Sequence, residues 1–404
     1  MMDYHQIEIQ KLAVSTTEDR YLLVCNGQYY EANHSIVELL QTLRAHEEEK
    51  EGIASYILLK NNRYTVEQVE IIIANYIRPL LQKEVSPQKR KTFLYEKELL
   101  TAMSIDKFSN LFSFLFNKKY MVTVLVTTLM LDLYFLIYTE ELLKFNNHVN
   151  VYSVLGLLIF MLTSSLFHEI GHASACKHFG LKHGGIGFGL YLNFPVLYTD
   201  VTEVWKLNRK QRCVVNIAGV YFQCYCLLAL LTAFLLTNND LLRYLILTMN
   251  LGFIITLNPF FKFDGYWIAS DLLGVPNLRK RSMELIRYLL NRFKGNTEVA
   301  KPYLFQIRKA EQYCLLFYSV LVNLFMGYYF CYIIPQFLYK FMQSFPDEVK
   351  QLVTYLSNNL TPPFALLRNI GMQLLFLILL CYMLTYTVIR PLKKYVQKKK
   401  MFRK

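Results

Sequence analysis

No CxxC pair occurs in the 404 residues, and most of the eight cysteines (Cys25, Cys176, Cys213, Cys224, Cys226, Cys314, Cys331 and Cys381) fall inside apolar runs. They read as small buried hydrophobes, which excludes a zinc ribbon and a disulfide framework. The start, MMDYHQIEIQKLAV, lacks a basic stretch followed by an apolar one. A cleavable signal peptide is therefore not expected, and the N-terminal part is expected to stay in the cytosol. The net charge of +14 is not gathered into a basic stripe interleaved with aromatics, so no nucleic-acid partner is expected. Charged residues are scarce at 18%, against 54% hydrophobic and 15% aromatic ones. That balance excludes an ordinary soluble protein and points to a polytopic α-helical membrane protein with a soluble part attached.

Six apolar stretches are long enough for a hydrocarbon core of about 30 Å. They run near Tyr120–Tyr138, Val151–Cys176, Cys213–Thr237, Leu241–Phe261, Cys314–Phe337 and Phe364–Ile389. Lys and Arg number six between Lys177 and Arg212, ten between Lys262 and Lys309, and eight from Arg390 onward, whereas the alternate connections are poor in them. The positive-inside rule then places both termini and both basic connections in the cytosol of a multi-pass cell-membrane protein. The basic tail, 391–404, reads as an anchor on anionic lipid.

The second apolar stretch is interrupted by SSLFHEIGH, in which His168, Glu169 and His172 stand in membrane-length surroundings. On a helix the two imidazoles share one face, four residues apart, with the carboxylate beside them, a spacing that suits two zinc ligands and a general base. Ionisable groups at such depth are costly, which favours a functional reading over a solvated face. Entering from outside at Val151, the helix reaches His168 after 17 residues, roughly 25 Å. A third ligand is expected at that level. TLNPFFKFDGYW, 256–267, offers one: Pro259 disturbs the helix, and Asp264-Gly265 puts a carboxylate on irregular backbone roughly 34 Å from Leu241.

HEIGH together with NPFFKFDG resembles the site-2 protease family of intramembrane zinc metalloproteases, over about 115 residues from the second to the fourth stretch. The resemblance implies that His168, His172 and Asp264 bind Zn2+ and that Glu169 activates water. Asn258 belongs to the same motif, either bonding an oxyanion or holding the broken helix, and Asn216 is a further supporting candidate whose orientation the sequence leaves open. It also implies that a β element near the zinc presents substrate in extended form, a role assigned to 185–199, where glycines and alternating apolar residues suit a hairpin or re-entrant loop. His178 and His183 read as interfacial polar side chains, and Asp200 and Glu203 as a solvated loop edge.

Residues 1–85 carry charges throughout. RYLLVC, Asn26-Gly27 and QYYEA predict a hairpin with a type I′ turn. A helix follows with Ser35 as its N-cap, then a second opened by a Thr65–Gln68 capping box and ended by Pro79. This small α+β pattern resembles the PqqD-like, winged-helix precursor-recognition domains, which implies binding of a ribosomally made peptide by strand addition. Residues 86–118 are read as an amphipathic connector and 119–390 as the intramembrane protease domain. The combination resembles the peptide zinc metalloproteases of bacterial peptide-maturation clusters, with peptide substrate, lipid bilayer and peptide-export components as the implied partners. The alternatives are a regulatory site-2 protease that cuts a membrane-anchored anti-sigma factor, although no PDZ-like insertion is visible, and a non-cleaving peptide-binding scaffold.

Overall fold

The computed structural model describes residues 3–82, 93–140, 142, 151–192, 194–295 and 301–389. The basic tail and the SPQKRK opening of the connector lie outside the described residues. The fold is mostly helical, with a small N-terminal sheet domain. In chain order it runs β1 (Glu8–Leu12), β2 (Arg20–Cys25), β3 (Gln28–Asn33), α1 (His34–Ala45), α2 (Glu49–Leu59), α3 (Val66–Ile72) and α4 (Arg78–Gln82). Then come β4 (Tyr95–Leu100), α5 (Ala102–Phe112), α6 (Lys118–Tyr138), α7 (Val151–His178), β5 (Ile186–Tyr191), β6 (Phe194–Thr199) and α8 (Arg209–Thr237). The chain continues through α9 (Asp240–Thr256), α10 (Asp264–Leu273), α11 (Leu278–Phe293), α12 (Lys309–Tyr328), α13 (Ile334–Ser357) and α14 (Phe364–Leu384).

Two compact units emerge, of which the first comprises Met1–Gln88, Thr202–Asn216 and Asp264–Val322. Its sheet is antiparallel in the order β1-β2-β3. Asn26 and Gly27 join β2 to β3 with φ of 50° and 70°, the left-handed pair that a type I′ turn requires. Alternation along β2 divides its side chains: Leu23 and Cys25 enter a core with Val37, Leu40, Leu43, Ile73 and Ile77, while Leu22 and Val24 cluster with Leu12 and Trp205. The α1 cap is Asn33, whose side chain accepts from Ile36 N at 3.0 Å. Ser35, the expected cap, already lies inside the first turn. The Thr65–Gln68 capping box forms as expected. Pro79 does not end the helix; a π turn at Ile73–Ile77 precedes it, and Pro79 falls in the first turn of α4, where its missing N–H costs nothing.

The second unit comprises Lys89–Val201, Ile217–Phe263 and Asn323–Lys404. A core of Phe135, Leu227, Leu230, Leu231, Phe234, Leu245, Ile246 and Met249 joins α6, α8 and α9. A second antiparallel sheet, in the order β4-β5-β6, contains the hairpin expected at 185–199. Its third strand, β4, comes from the connector, whose remaining helix α5 exposes Met103, Phe108 and Leu111. α7 and α8 approach closely because Gly171 has no Cβ: one placed there would strike the Ala218 carbonyl and the Phe222 ring.

Five helical spans among the described residues are long and apolar enough to cross a membrane: Lys118–Tyr138, Leu155–His178, Arg209–Thr237, Lys309–Ser357 and Phe364–Leu384. The sixth expected crossing, 241–261, differs. α9 stops at Thr256 after 17 residues, just before Asn258 and Pro259, because proline cannot donate to a continuing helix.

Candidate metal centre

α7 carries His168, Glu169 and His172 on consecutive turns without a glycine at either ligand position. The Nε2 atoms of His168 and His172 stand 3.2 Å apart. Two donors on one tetrahedral zinc, each bonded at about 2.0–2.1 Å, are separated by roughly 3.3 Å, so the pair is spaced as ligands of a common ion. Glu169 and His172 are buried, at 6% and 7% exposure. The Thr199 hydroxyl at the end of β6 donates to the Glu169 backbone carbonyl at 3.2 Å, which fastens the hairpin to α7.

Two features of α8 shape the His168 position. Gly219 leaves room for the ring, since a Cβ there would overlap the imidazole. Gln223 Oε1 lies 3.1 Å from His168 Nδ1, and Gln223 Nε2 donates to Ser164 Oγ at 3.0 Å. This chain fixes the tautomer with the proton on Nδ1 and the lone pair on Nε2, as a metal-bound imidazole needs. Sequence reasoning missed Gln223, although an amide inside an apolar helix one turn after Gly219 is the kind of signal that marks it. Replacing Gln223 with Leu is expected to weaken zinc affinity by about 10- to 100-fold, measured by competition with a chromogenic chelator. Unchanged affinity would remove Gln223 from the centre.

Asp264 opens α10, directly after the break that ends α9. Asn258 Oδ1 accepts from Phe260 N at 2.7 Å and holds the turn, while Lys262 N donates to the Tyr191 hydroxyl at 3.1 Å. Phe194 also stacks edge-on to Phe261 and Phe263, so the hairpin tip packs on this loop. One ligand atom from each of His168, His172 and Asp264 lies within 4.8 Å of the others. Two imidazole nitrogens and a carboxylate oxygen fit zinc and leave a fourth position for substrate or water. Asn258 serves its own turn, and Asn216 donates to Asp271 at 2.7 Å.

The chain is similar to one curated bacterial protein over part of its length. It is 26% identical over 159 residues to the Bacillus subtilis (strain 168) protein "Putative peptide zinc metalloprotease protein YydH", a match that covers 33% of this chain and 63% of that relative. No family model matches the chain, and no solved structure matches it.

Around the C-terminal end of α7, Lys177 Nζ meets Asp106 of α5 at 2.5 Å, and that hydrogen bond holds the Asp106 carboxyl below its ordinary range. The His183 side chain is buried, with Nε2 2.8 Å from Ser109 Oγ and Nδ1 2.9 Å from the Gly184 carbonyl. His178 remains exposed.

Proposed function

We propose that the chain is a zinc-dependent endopeptidase of the site-2 type, embedded in the membrane, that processes a ribosomally made peptide gathered by its N-terminal domain. The observation that carries this reading is the convergence of His168, His172 and Asp264 to within 4.8 Å, on and beside a helix apolar enough to cross a membrane. The similarity to a relative named as a peptide zinc metalloprotease supports it.

When bound, zinc supplies a Lewis acid for the scissile carbonyl and acidifies water. His168, His172 and Asp264 hold it, and Gln223 orients His168. The Glu169 carboxylate takes the proton of the attacking water and returns it to the leaving amine, as its place between the two histidines suits. β6 is an outer strand of its sheet and ends at the Glu169 backbone carbonyl, so a substrate paired along it would be extended and brought to the turn of α7 that carries the base. A membrane setting keeps the reacting groups away from bulk water, and the N-terminal sheet offers strand edges for a leader segment. Peptide-export components and anionic lipid complete the proposed surroundings at a bacterial plasma membrane, with both termini cytosolic.

The test is turnover in proteoliposomes. A precursor peptide is expected to be cut in a chelator-sensitive reaction, and removal of its leader is expected to raise KM with little change in kcat. Equal KM with and without the leader would count against recruitment by the N-terminal domain, and absence of chelator-sensitive cleavage against the endopeptidase.

A further inference from the structure

The first unit contains a buried polar network that the metal chemistry does not use. Asp271 lies seven residues after Asp264 on α10, about 10 Å along the axis and on nearly the same face. Its side chain is 8% exposed, yet both oxygens are engaged: Arg212 Nε donates to Oδ1 at 2.5 Å and Asn216 Nδ2 to Oδ2 at 2.7 Å. Arg212 and Asn216 are four residues apart on α8 and so present a common face to α10. Arg212 is 2% exposed; it also donates from Nη1 to the Leu207 carbonyl at 3.0 Å and from Nη2 to the Ala13 carbonyl at 2.9 Å, with its guanidinium over the Trp205 ring.

One turn earlier on α8, Arg209 closes the C-terminal end of α10. Its Nε donates to the Asp271 carbonyl at 2.8 Å, its Nη2 to the Leu272 carbonyl, and its Nη1 to Ser15 Oγ at 2.9 Å. Ser15 N in turn donates to the Gly274 carbonyl at 2.9 Å. Gly274 itself adopts φ +62°, and a Cβ there would strike Ser15 Oγ and Arg209. The backbone leaving β1 is thus knotted into the end of the helix that begins with Asp264.

A buried ion pair is poor value as a mere strut, because well-packed apolar residues of similar size are commonly as stable or more so. What the pair does give is direction: a carboxylate held at one oxygen by Arg212 and at the other by Asn216 fixes the rotation and axial position of α10 in a way that apolar packing does not. A ligand two turns away moves with that rotation, and metal sites respond to such supporting contacts.

We propose that Asp271, Arg212 and Asn216 are positioning residues for Asp264, and that Arg212 and Arg209 make that position depend on the docked Ala13–Ser15 segment of the N-terminal domain. The inference rests on the metal reading above and deepens it. A peptide that engages the domain's sheet then acts on the same helix that delivers the third ligand, which supplies a physical route from recruitment to cleavage.

Asp271→Asn and the apolar double variant Arg212→Met with Asp271→Leu separate positioning from simple stability. In the full chain in detergent, Asp271→Asn is expected to lower both Tm and zinc affinity, the latter by about 10- to 100-fold, with kcat falling and KM unchanged. The double variant is expected to regain Tm while zinc affinity stays low and hydrogen exchange across 260–268 stays raised. Restoration of zinc affinity and exchange protection along with Tm would overturn the proposal, because the network would then be a strut. Zinc content of the wild-type chain, measured in the same preparations, tests the metal reading separately, and the exchange readout does not depend on it.

Discussion

Glu169→Gln is expected to lower peptide cleavage by at least the roughly 100- to 10,000-fold that general-base catalysis contributes, with one zinc per chain retained. The substitution keeps size and hydrogen-bonding reach but removes the group that takes the proton. Glu169 is buried between the two histidines along α7, and no metal donor is lost with it. Loss of cleavage with zinc retained assigns the residue to proton transfer. Loss of both would make it part of the metal's support, and full activity would remove Glu169 from the proton transfer. Proteolysis of a labelled precursor in proteoliposomes, beside metal analysis of the same samples, reads all three results.

His172→Ala and Asp264→Ala are each expected to lower zinc affinity by more than the roughly 10- to 100-fold typical of changes to supporting residues, because each removes a donor outright. The two differ in what surrounds the loss. His172 is 7% exposed on α7, and its truncation leaves a small void beside His168. Asp264 opens α10 at a helix N-terminus, where a carboxylate is also favourable for the helix, so Asp264→Asn is the milder control for folding. Chelator competition on the purified chains measures the change. Wild-type affinity in either variant would remove that residue from the ligand set.

The candidate metal centre stood out in the sequence because its chemistry is expensive. His168, Glu169 and His172 interrupt an apolar helix, and Asp264 follows a proline-broken one at a matching depth, so the residues stand out where a packed core would not keep them. Gln223 was missed because a single amide in α8 marks an unusual position without naming its partner, which is 55 residues away in the chain. The Arg212–Asp271 pair was hidden for the same reason, with 59 residues between partners. Local errors came from competition over a turn or two. Asn33 outcompetes Ser35 as a cap because it precedes the helix, and Pro79 is absorbed by a π turn. β4 escaped notice because YEKELL reads as an amphipathic surface run until β5 supplies its hydrogen bonds. The crossings were counted from apolar length, and α9 fell short because Asn258 and Pro259 end it early.

Zinc K-edge X-ray absorption on the purified Glu169→Gln chain tests the central claim most directly, since that variant keeps every proposed donor and consumes no substrate. A single zinc with two imidazole nitrogens and light oxygen donors, at about 2.0–2.2 Å, is the predicted shell. A chain that takes up no zinc, a sulfur-containing shell, or a spectrum unchanged by adding His172→Ala would contradict it.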